Sequence, residues 1–60
     1  MSPKRLKWLE AAYLYYLHPE HGQVMSDAEW DWTGREDNWE GSLYYMKEAD
    51  YPEEIRNKYR

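Results

Sequence analysis

The chain contains eleven tryptophan and tyrosine residues but only seven leucine, isoleucine, valine and phenylalanine residues in its 60 positions. So few aliphatic side chains would by themselves indicate disorder, because little apolar surface is available to offset the loss of chain entropy on folding. Each Trp or Tyr, however, buries about 150–250 Å² and keeps one polar atom for a partner. We therefore expect residues 1–60 to form one small domain whose core is built from aromatic rings.

The charges are distributed unevenly along the sequence. Residues 1–19 carry a net charge of +2, residues 20–54 carry −9, and residues 55–60 carry +3. An acidic surface repels phosphate, so direct nucleic-acid binding by the middle of the chain is not expected. It attracts a basic protein instead and accelerates the encounter at low salt.

Signals for helix starts and stops divide the chain into three or four short helices and predict an all-α domain. Ser2 and Pro3 are typical of an N-cap and a first helical position, and the residue before Pro19 is expected to end this first helix. Ser26 opens a capping box that starts the second helix. The expected helices lie at about 3–17, 27–33, 38–48 and 52–58.

The first helix is expected to be the central one. Its apolar residues recur at three- and four-residue spacing, which predicts a buried stripe facing Trp30 and the helix that contains Leu43. The stripe comprises Leu6, Leu9, Tyr13, Tyr16 and Leu17. Gly34 is expected to end or bend the second helix, and a capping-box-like sequence at Asp37 is expected to start the third.

No motif in the sequence argues for catalysis, a bound metal or a membrane span. The chain has no cysteine, and its longest apolar run, residues 11–17, is far shorter than the roughly 20 residues of a transmembrane helix. His18, Glu20 and His21 are close in sequence, but zincins place two histidines four residues apart on a helix. Trp32 occupies the position where an EF-hand loop requires glycine. We expect a cytoplasmic protein that is not an enzyme and binds no metal.

Two short motifs flank the loop that follows the first helix. Residues 13–16 read Tyr-Leu-Tyr-Tyr, and residues 26–31 read Ser-Asp-Ala-Glu-Trp-Asp. Together they resemble the N-terminal Ia subdomain of bacterial NAD-dependent DNA ligases, in which a tyrosine pair ends one helix and Ser-Asp-Ala-Glu-Tyr-Asp starts the next. The resemblance covers residues 13–31 only, with Trp30 in place of the family's tyrosine and a longer loop between the motifs.

In those ligases the helix pair closes over the nicotinamide half of NAD. The resemblance therefore implies a site for nicotinamide mononucleotide or NAD formed by Tyr15, Tyr16, Asp27, Trp30 and Asp31. A pyridinium ring suits an aromatic face, and a carboxylate can hold ribose hydroxyls. No lysine of the chain begins the Lys-x-Asp-Gly nucleophile motif of the ligases, so the resemblance does not extend to ligation chemistry.

Two classes of function follow from these features, of which the first is expected and the second is the alternative. In the first, the chain is an acidic protein-interaction module without a cofactor, similar in kind to small phage proteins that imitate DNA and inhibit host restriction, CRISPR or polymerase machinery. Its partner is expected to be a basic, nucleic-acid-handling protein. In the second, the ligase-like residues bind nicotinamide mononucleotide or NAD.

For the interaction module, the binding surface is expected within residues 27–40. Trp32 and Trp39 are expected to be exposed anchors and Trp30 to turn inward, because residues two apart on a helix point in different directions. The alternative is that Trp32 packs against Trp39 inside the domain. The expected partner-binding residues are Asp27, Asp31, Trp32, Glu36, Asp37, Trp39 and Glu40.

Overall fold

A computed structural model describes residues 2–43 and 46–60, with the backbone alone for Glu40 and Ser42. Over these residues the chain forms α-helices and short 3₁₀ turns and no strand, so the expected all-α domain is confirmed. The α-helices are α1 (Pro3–Leu17), α2 (Asp27–Glu36), α3 (Glu40–Leu43) and α4 (Glu53–Lys58). The 3₁₀ turns are Pro19–His21 and Glu48–Asp50.

Helix α1 begins and ends where the sequence predicts. The Ser2 hydroxyl accepts a hydrogen bond from the Arg5 amide at 3.3 Å, and Pro3 occupies the first turn. The helix ends at Leu17 because His18, which precedes a proline, leaves the helical region with φ −137° and ψ 60°.

Helix α2 is longer than predicted. The Ser26 hydroxyl accepts from the Glu29 amide at 3.2 Å, which is the serine half of the expected capping box. The helix then continues through Gly34 to Glu36, so the expected end at Gly34 is wrong. A single glycine costs about 1 kcal/mol in a helix interior, which tertiary packing readily outweighs, and Gly34 is buried.

The third helix is shorter than the predicted range of 38–48. Asn38 has a left-handed φ of +57°, and the Trp39 amide donates to the Gly34 carbonyl at 2.8 Å. These contacts terminate α2, so the expectation that a new helix starts at residues 37–38 is wrong. The observed α3 spans Glu40–Leu43 and is followed by non-helical residues 46 and 47, whereas Tyr44 and Tyr45 lie outside the described residues.

The core is centred on α1 and is largely aromatic. Its buried apolar residues are Trp8, Leu9, Ala12, Tyr13, Leu14, Tyr51 and Ile55. The predicted stripe is correct at Leu9 and Tyr13 but wrong at its C-terminal end, where Tyr16 and Leu17 are exposed. Both side chains border a surface cavity that α2 and the segment after α3 leave open.

The C-terminal segment folds back onto α1. Ile55 of α4 is buried in the core, and Lys58 Nζ lies 2.8 Å from Glu10 Oε1. The Tyr59 hydroxyl donates to the same carboxylate oxygen. No helix in the described part of the chain combines the length and the apolar character needed to cross a membrane.

Candidate functional site

Helices α1 and α2 form an antiparallel hairpin held by two indoles. The rings of Trp8 and Trp30 stack with centroids 4.8 Å apart and planes 2° apart. Trp8 Nε1 donates to the Trp30 carbonyl at 2.9 Å, and Trp30 Nε1 donates to the Trp8 carbonyl at 3.1 Å. Both indole donors are thereby satisfied away from bulk water, as buried polar groups require. Trp30 turns inward as predicted, and its orientation is fixed.

A cavity of about 310 Å³ opens between the end of α1 and the start of α2. We call it the α1–α2 cavity. The side chains that matter most for its chemistry are Tyr15, Tyr16, Met25, Asp27 and Trp30. Four of the five residues implied by the ligase resemblance therefore lie around a single cavity, and only Asp31 is missing from its lining.

The two tyrosines of the cavity present large apolar surfaces to solvent. Tyr15 is 60% exposed and Tyr16 is 58% exposed. Their rings meet edge to face, with centroids 5.0 Å apart. The two adjacent rings together leave apolar area in water, where a ligand could cover it.

Asp27 supplies the carboxylate of the α1–α2 cavity. It lies in the first turn of α2, where the helix dipole stabilises a negative charge. Its Oδ1 atom accepts from Gln23 Nε2 at 3.1 Å, which orients the side chain. No lysine or arginine is among the described residues that line the cavity, so its polar character is neutral to acidic.

Asp31 lies at the neighbouring cavity. That second cavity, of about 470 Å³, shares Tyr16 and Trp30 with the first. The Asp31 carboxylate lies 3.4 Å from Arg35 Nη2 in a pair four residues apart on α2. Its charge is therefore partly compensated before any ligand arrives.

The loop residues of the α1–α2 cavity are those that sequence reasoning missed. Gln23, Val24 and Met25 line its side opposite α1. A loop has no periodicity from which such contacts can be read. One feature of the sequence does indicate a contact: Gln23 and Asp27 are four residues apart. Their side chains form a hydrogen bond at the N-terminus of α2.

Trp32 stands alone at the surface of the acidic segment, which is defined as residues 27–40. Its side chain is 65% exposed, so the predicted exposure is confirmed and the alternative in which it packs against Trp39 inside the domain is wrong. A large exposed indole among carboxylates has the character of an interface anchor.

Trp39 does not share this position. Its side chain is half-buried and packs against the core, with its ring 5.5 Å from that of Trp8. The Arg5 guanidinium lies 5.0 Å above the Trp39 ring. The prediction that Trp39 is an exposed anchor is therefore corrected, because the end of α2 directs this residue back toward α1. The Glu40 side chain, also expected in the interface, lies outside the described residues.

The carboxylates at the end of the acidic segment are paired with the basic N-terminus. Lys4 Nζ lies 3.1 Å from Asp37 Oδ2 and 3.9 Å from Glu36 Oε1. The hydrogen bond to Asp37 raises the pKa of Lys4 above its usual value. All three side chains are well exposed, so this contact contributes little to stability. The positive charge of Lys4 does, however, reduce the net negative charge at the C-terminal end of the acidic segment.

Comparison with known proteins returned no match: no protein-family model, no curated protein and no solved structure is detectably similar to this chain.

Proposed function

We propose that the chain is a non-catalytic binding module whose α1–α2 cavity holds the nicotinamide and ribose of a nicotinamide nucleotide. The observation that carries this proposal is the assembly of Tyr15, Tyr16, Asp27 and Trp30 around one cavity of about 310 Å³. That volume lies at the lower end of the range of roughly 300–1,000 Å³ usual for ligand sites. It suits one ring and one sugar better than a complete dinucleotide.

The chemistry of the lining supports a cationic aromatic ligand. Oxidised nicotinamide is a flat pyridinium, and the exposed rings of Tyr15 and Tyr16 offer faces that attract such a cation. Asp27 can accept hydrogen bonds from ribose hydroxyls, as carboxylates do in other nucleotide sites. With no lysine or arginine among its described lining residues, the cavity leaves a 5′-phosphate to face solvent.

Calorimetry with three related ligands tests the proposal. Nicotinamide riboside carries the cation without a phosphate, nicotinamide mononucleotide carries both, and reduced nicotinamide mononucleotide lacks the cation. We expect the riboside to bind at least as tightly as the mononucleotide and the reduced form to bind weakest. An absence of heat and of NMR shifts at millimolar riboside and mononucleotide would contradict the proposal.

Variants locate the binding. Tyr15→Ala and Asp27→Asn are expected to weaken nicotinamide binding, because each removes a group that lines the α1–α2 cavity. Trp32→Ala is the matched aromatic control, since this exposed residue does not line the cavity. Asp31→Ala is expected to have a smaller effect than Asp27→Asn, because Asp31 borders the neighbouring cavity.

A second candidate function is binding of a basic, nucleic-acid-handling protein through the acidic segment. The 65% exposure of Trp32 on α2 favours it. The surrounding carboxylates would set the encounter rate and the choice of partner, while the indole would limit dissociation. A DNA-mimicking inhibitor uses the same surface chemistry.

Capture of proteins from a cell extract at low and high salt tests this second candidate. Wild-type protein and Trp32→Ala are immobilised in equal amounts, with Tyr15→Ala as a control that removes an exposed ring on another face. Selective loss of a captured basic protein with Trp32→Ala supports the candidate. Equal capture by all three proteins contradicts it.

A further inference from the structure

Three side chains with metal-binding atoms converge at the Pro19–His21 turn. One donor atom from each of His18, Glu20 and His21 lies within 4.8 Å of the others. His18 Nδ1 is 3.3 Å from Glu20 Oε1. We propose that these three residues form a binding site for Zn²⁺, independent of the α1–α2 cavity.

The backbone of the turn explains why a three-residue spacing brings the histidines together. The His21 amide donates to the His18 carbonyl at 3.1 Å, and the Gly22 amide donates to the Pro19 carbonyl at 3.1 Å. The turn brings the rings of His18 and His21 to a centroid separation of 6.0 Å. The four-residue spacing of zincins belongs to an α-helix and does not apply here.

Pro19 and Gly22 hold this turn in place. Pro19 occupies its first position, where no amide donor is needed. Gly22 closes it with a φ of +81°, a conformation that side chains with a Cβ rarely adopt. The backbone that carries the three ligands is therefore well defined before any metal binds.

Both imidazoles contact aromatic rings. The His18 ring lies 4.9 Å from that of the buried Tyr13, and the His21 ring lies 5.2 Å from that of Tyr59. Tyr59 is itself held by the hydrogen bond from its hydroxyl to Glu10. The contact with the buried Tyr13 restricts the His18 ring and reduces the entropy lost when a metal binds, whereas the exposed His21 ring can still rotate toward a metal.

The distances require only side-chain adjustment. Two ligands about 2.0–2.2 Å from a tetrahedral Zn²⁺ lie about 3.3–3.6 Å from each other. The His18–Glu20 pair already meets that distance. The remaining separations, up to 4.8 Å, close by rotation of the exposed Glu20 and His21 side chains. That exposure also gives water access to a fourth coordination position.

The donor set selects the class of metal. Two imidazole nitrogens and one carboxylate oxygen are the protein ligands of several open zinc sites. Calcium and magnesium prefer oxygen ligands throughout, so they are not expected to bind here. Nickel and copper also bind imidazole, and copper binds such sites more tightly than zinc in general, so a test with Zn²⁺ must use metal-stripped protein.

Calorimetric titration of the metal-stripped chain, without a histidine tag, tests the proposal at neutral pH. We expect one Zn²⁺ per chain and no binding of Ca²⁺ or Mg²⁺. His21→Ala and Glu20→Gln should weaken Zn²⁺ binding by at least about tenfold, since loss of even an outer-shell partner has that effect. Glu54→Gln, which alters an exposed acid on α4, is the matched control and should leave the affinity unchanged.

Thermal unfolding gives an independent readout. Zn²⁺ should raise the melting temperature of the wild type and of Glu54→Gln, and a chelator should reverse the rise. It should not raise that of His21→Ala, whose fold is verified by circular dichroism. Absence of zinc binding to the wild type, or equal affinity in His21→Ala and the wild type, would overturn the proposal.

Discussion

The indole of Trp8 lies flat against that of Trp30, and each ring nitrogen donates a hydrogen bond to the backbone carbonyl of the other residue. The two residues are 22 positions apart in sequence, so this exchange fixes both the distance and the register of α1 and α2. It also determines where the α1–α2 cavity forms, because Trp30 is part of its lining.

The reciprocal hydrogen bonds should be measurable in the stability of the domain. Trp30→Phe keeps an aromatic ring next to Trp8 but removes one indole donor and leaves the Trp8 carbonyl without that partner. We expect a loss of about 1–3 kcal/mol in the free energy of unfolding in urea. Trp32→Phe is the control, because that side chain is exposed and should change stability little. Equal stability of Trp30→Phe and Trp32→Phe would show that the Trp30 indole hydrogen bond does not stabilise the fold.

The burial of two leucines in α1 predicts opposite outcomes for the same substitution. Leu9 is 1% exposed and Leu17 is 42% exposed. Leu9→Ala should cost roughly 2–5 kcal/mol, which is a large share of the stability of a domain this small. Leu17→Ala should cost much less, since its side chain is already partly in water. Urea unfolding of both variants measures the difference, and a similar loss for both would contradict the observed core.

These two leucines also show how far the sequence determined the fold. Local signals placed α1 correctly, because an N-cap serine, a first-turn proline and a stopping proline act within a few residues. The helical spacing identified Leu9 and also predicted burial of Leu17. That second prediction failed because burial depends on what covers each turn, and the last turn of α1 borders an open cavity.

The lining of the α1–α2 cavity was predictable in part. The resemblance to the ligase subdomain predicted that Tyr15, Tyr16, Asp27, Trp30 and Asp31 share one site. The hairpin places all of them except Asp31 around the α1–α2 cavity. The position of Trp39 was not predictable, because it depends on the left-handed backbone of Asn38 and on its contact with Trp8.

The cap of α2 links stability to the candidate site. The Ser26 hydroxyl accepts from the Glu29 amide, and the next residue, Asp27, lines the α1–α2 cavity. Ser26→Ala should lower the free energy of unfolding by about 1 kcal/mol, whereas Ser26→Asp should retain most of it because aspartate also caps helices. Chemical denaturation compares the two. An alanine variant as stable as the aspartate variant would show that the cap contributes nothing.

Acid should weaken the contact between α4 and α1. Partial burial of Glu10 opposes its ionisation, but hydrogen bonds from Lys58 and Tyr59 prevail and lower the pKa of this carboxyl below its usual 4.5. The unfolded chain therefore binds this proton more readily, so the stabilisation by Glu10 is complete above pH 4.5 and is lost as the pH falls through the lowered pKa.

A pH series of melting temperatures tests this linkage. The wild type should lose more stability between neutral pH and strongly acidic pH than Glu10→Gln, whose side chain does not titrate. If Glu10→Gln showed the same acid-dependent loss as the wild type, the carboxylate would not stabilise the fold in this way.

Lys4 should moderate the acidic segment. Its ammonium group pairs with Asp37 and Glu36, which are both exposed, so removing it should leave stability nearly unchanged but uncover negative charge. If the segment binds a basic protein, Lys4→Gln should accelerate association, with the largest gain at low salt.

Trp32→Ala should instead accelerate dissociation, because the 65% exposed indole is the apolar group that a partner can desolvate. Its melting temperature should stay at the wild-type value, since Trp32 is outside the core. Surface plasmon resonance with a partner captured from extract measures the association rate and the dissociation rate separately. If Lys4→Gln left the association rate unchanged and Trp32→Ala left the dissociation rate unchanged, the acidic segment would be excluded as the interface.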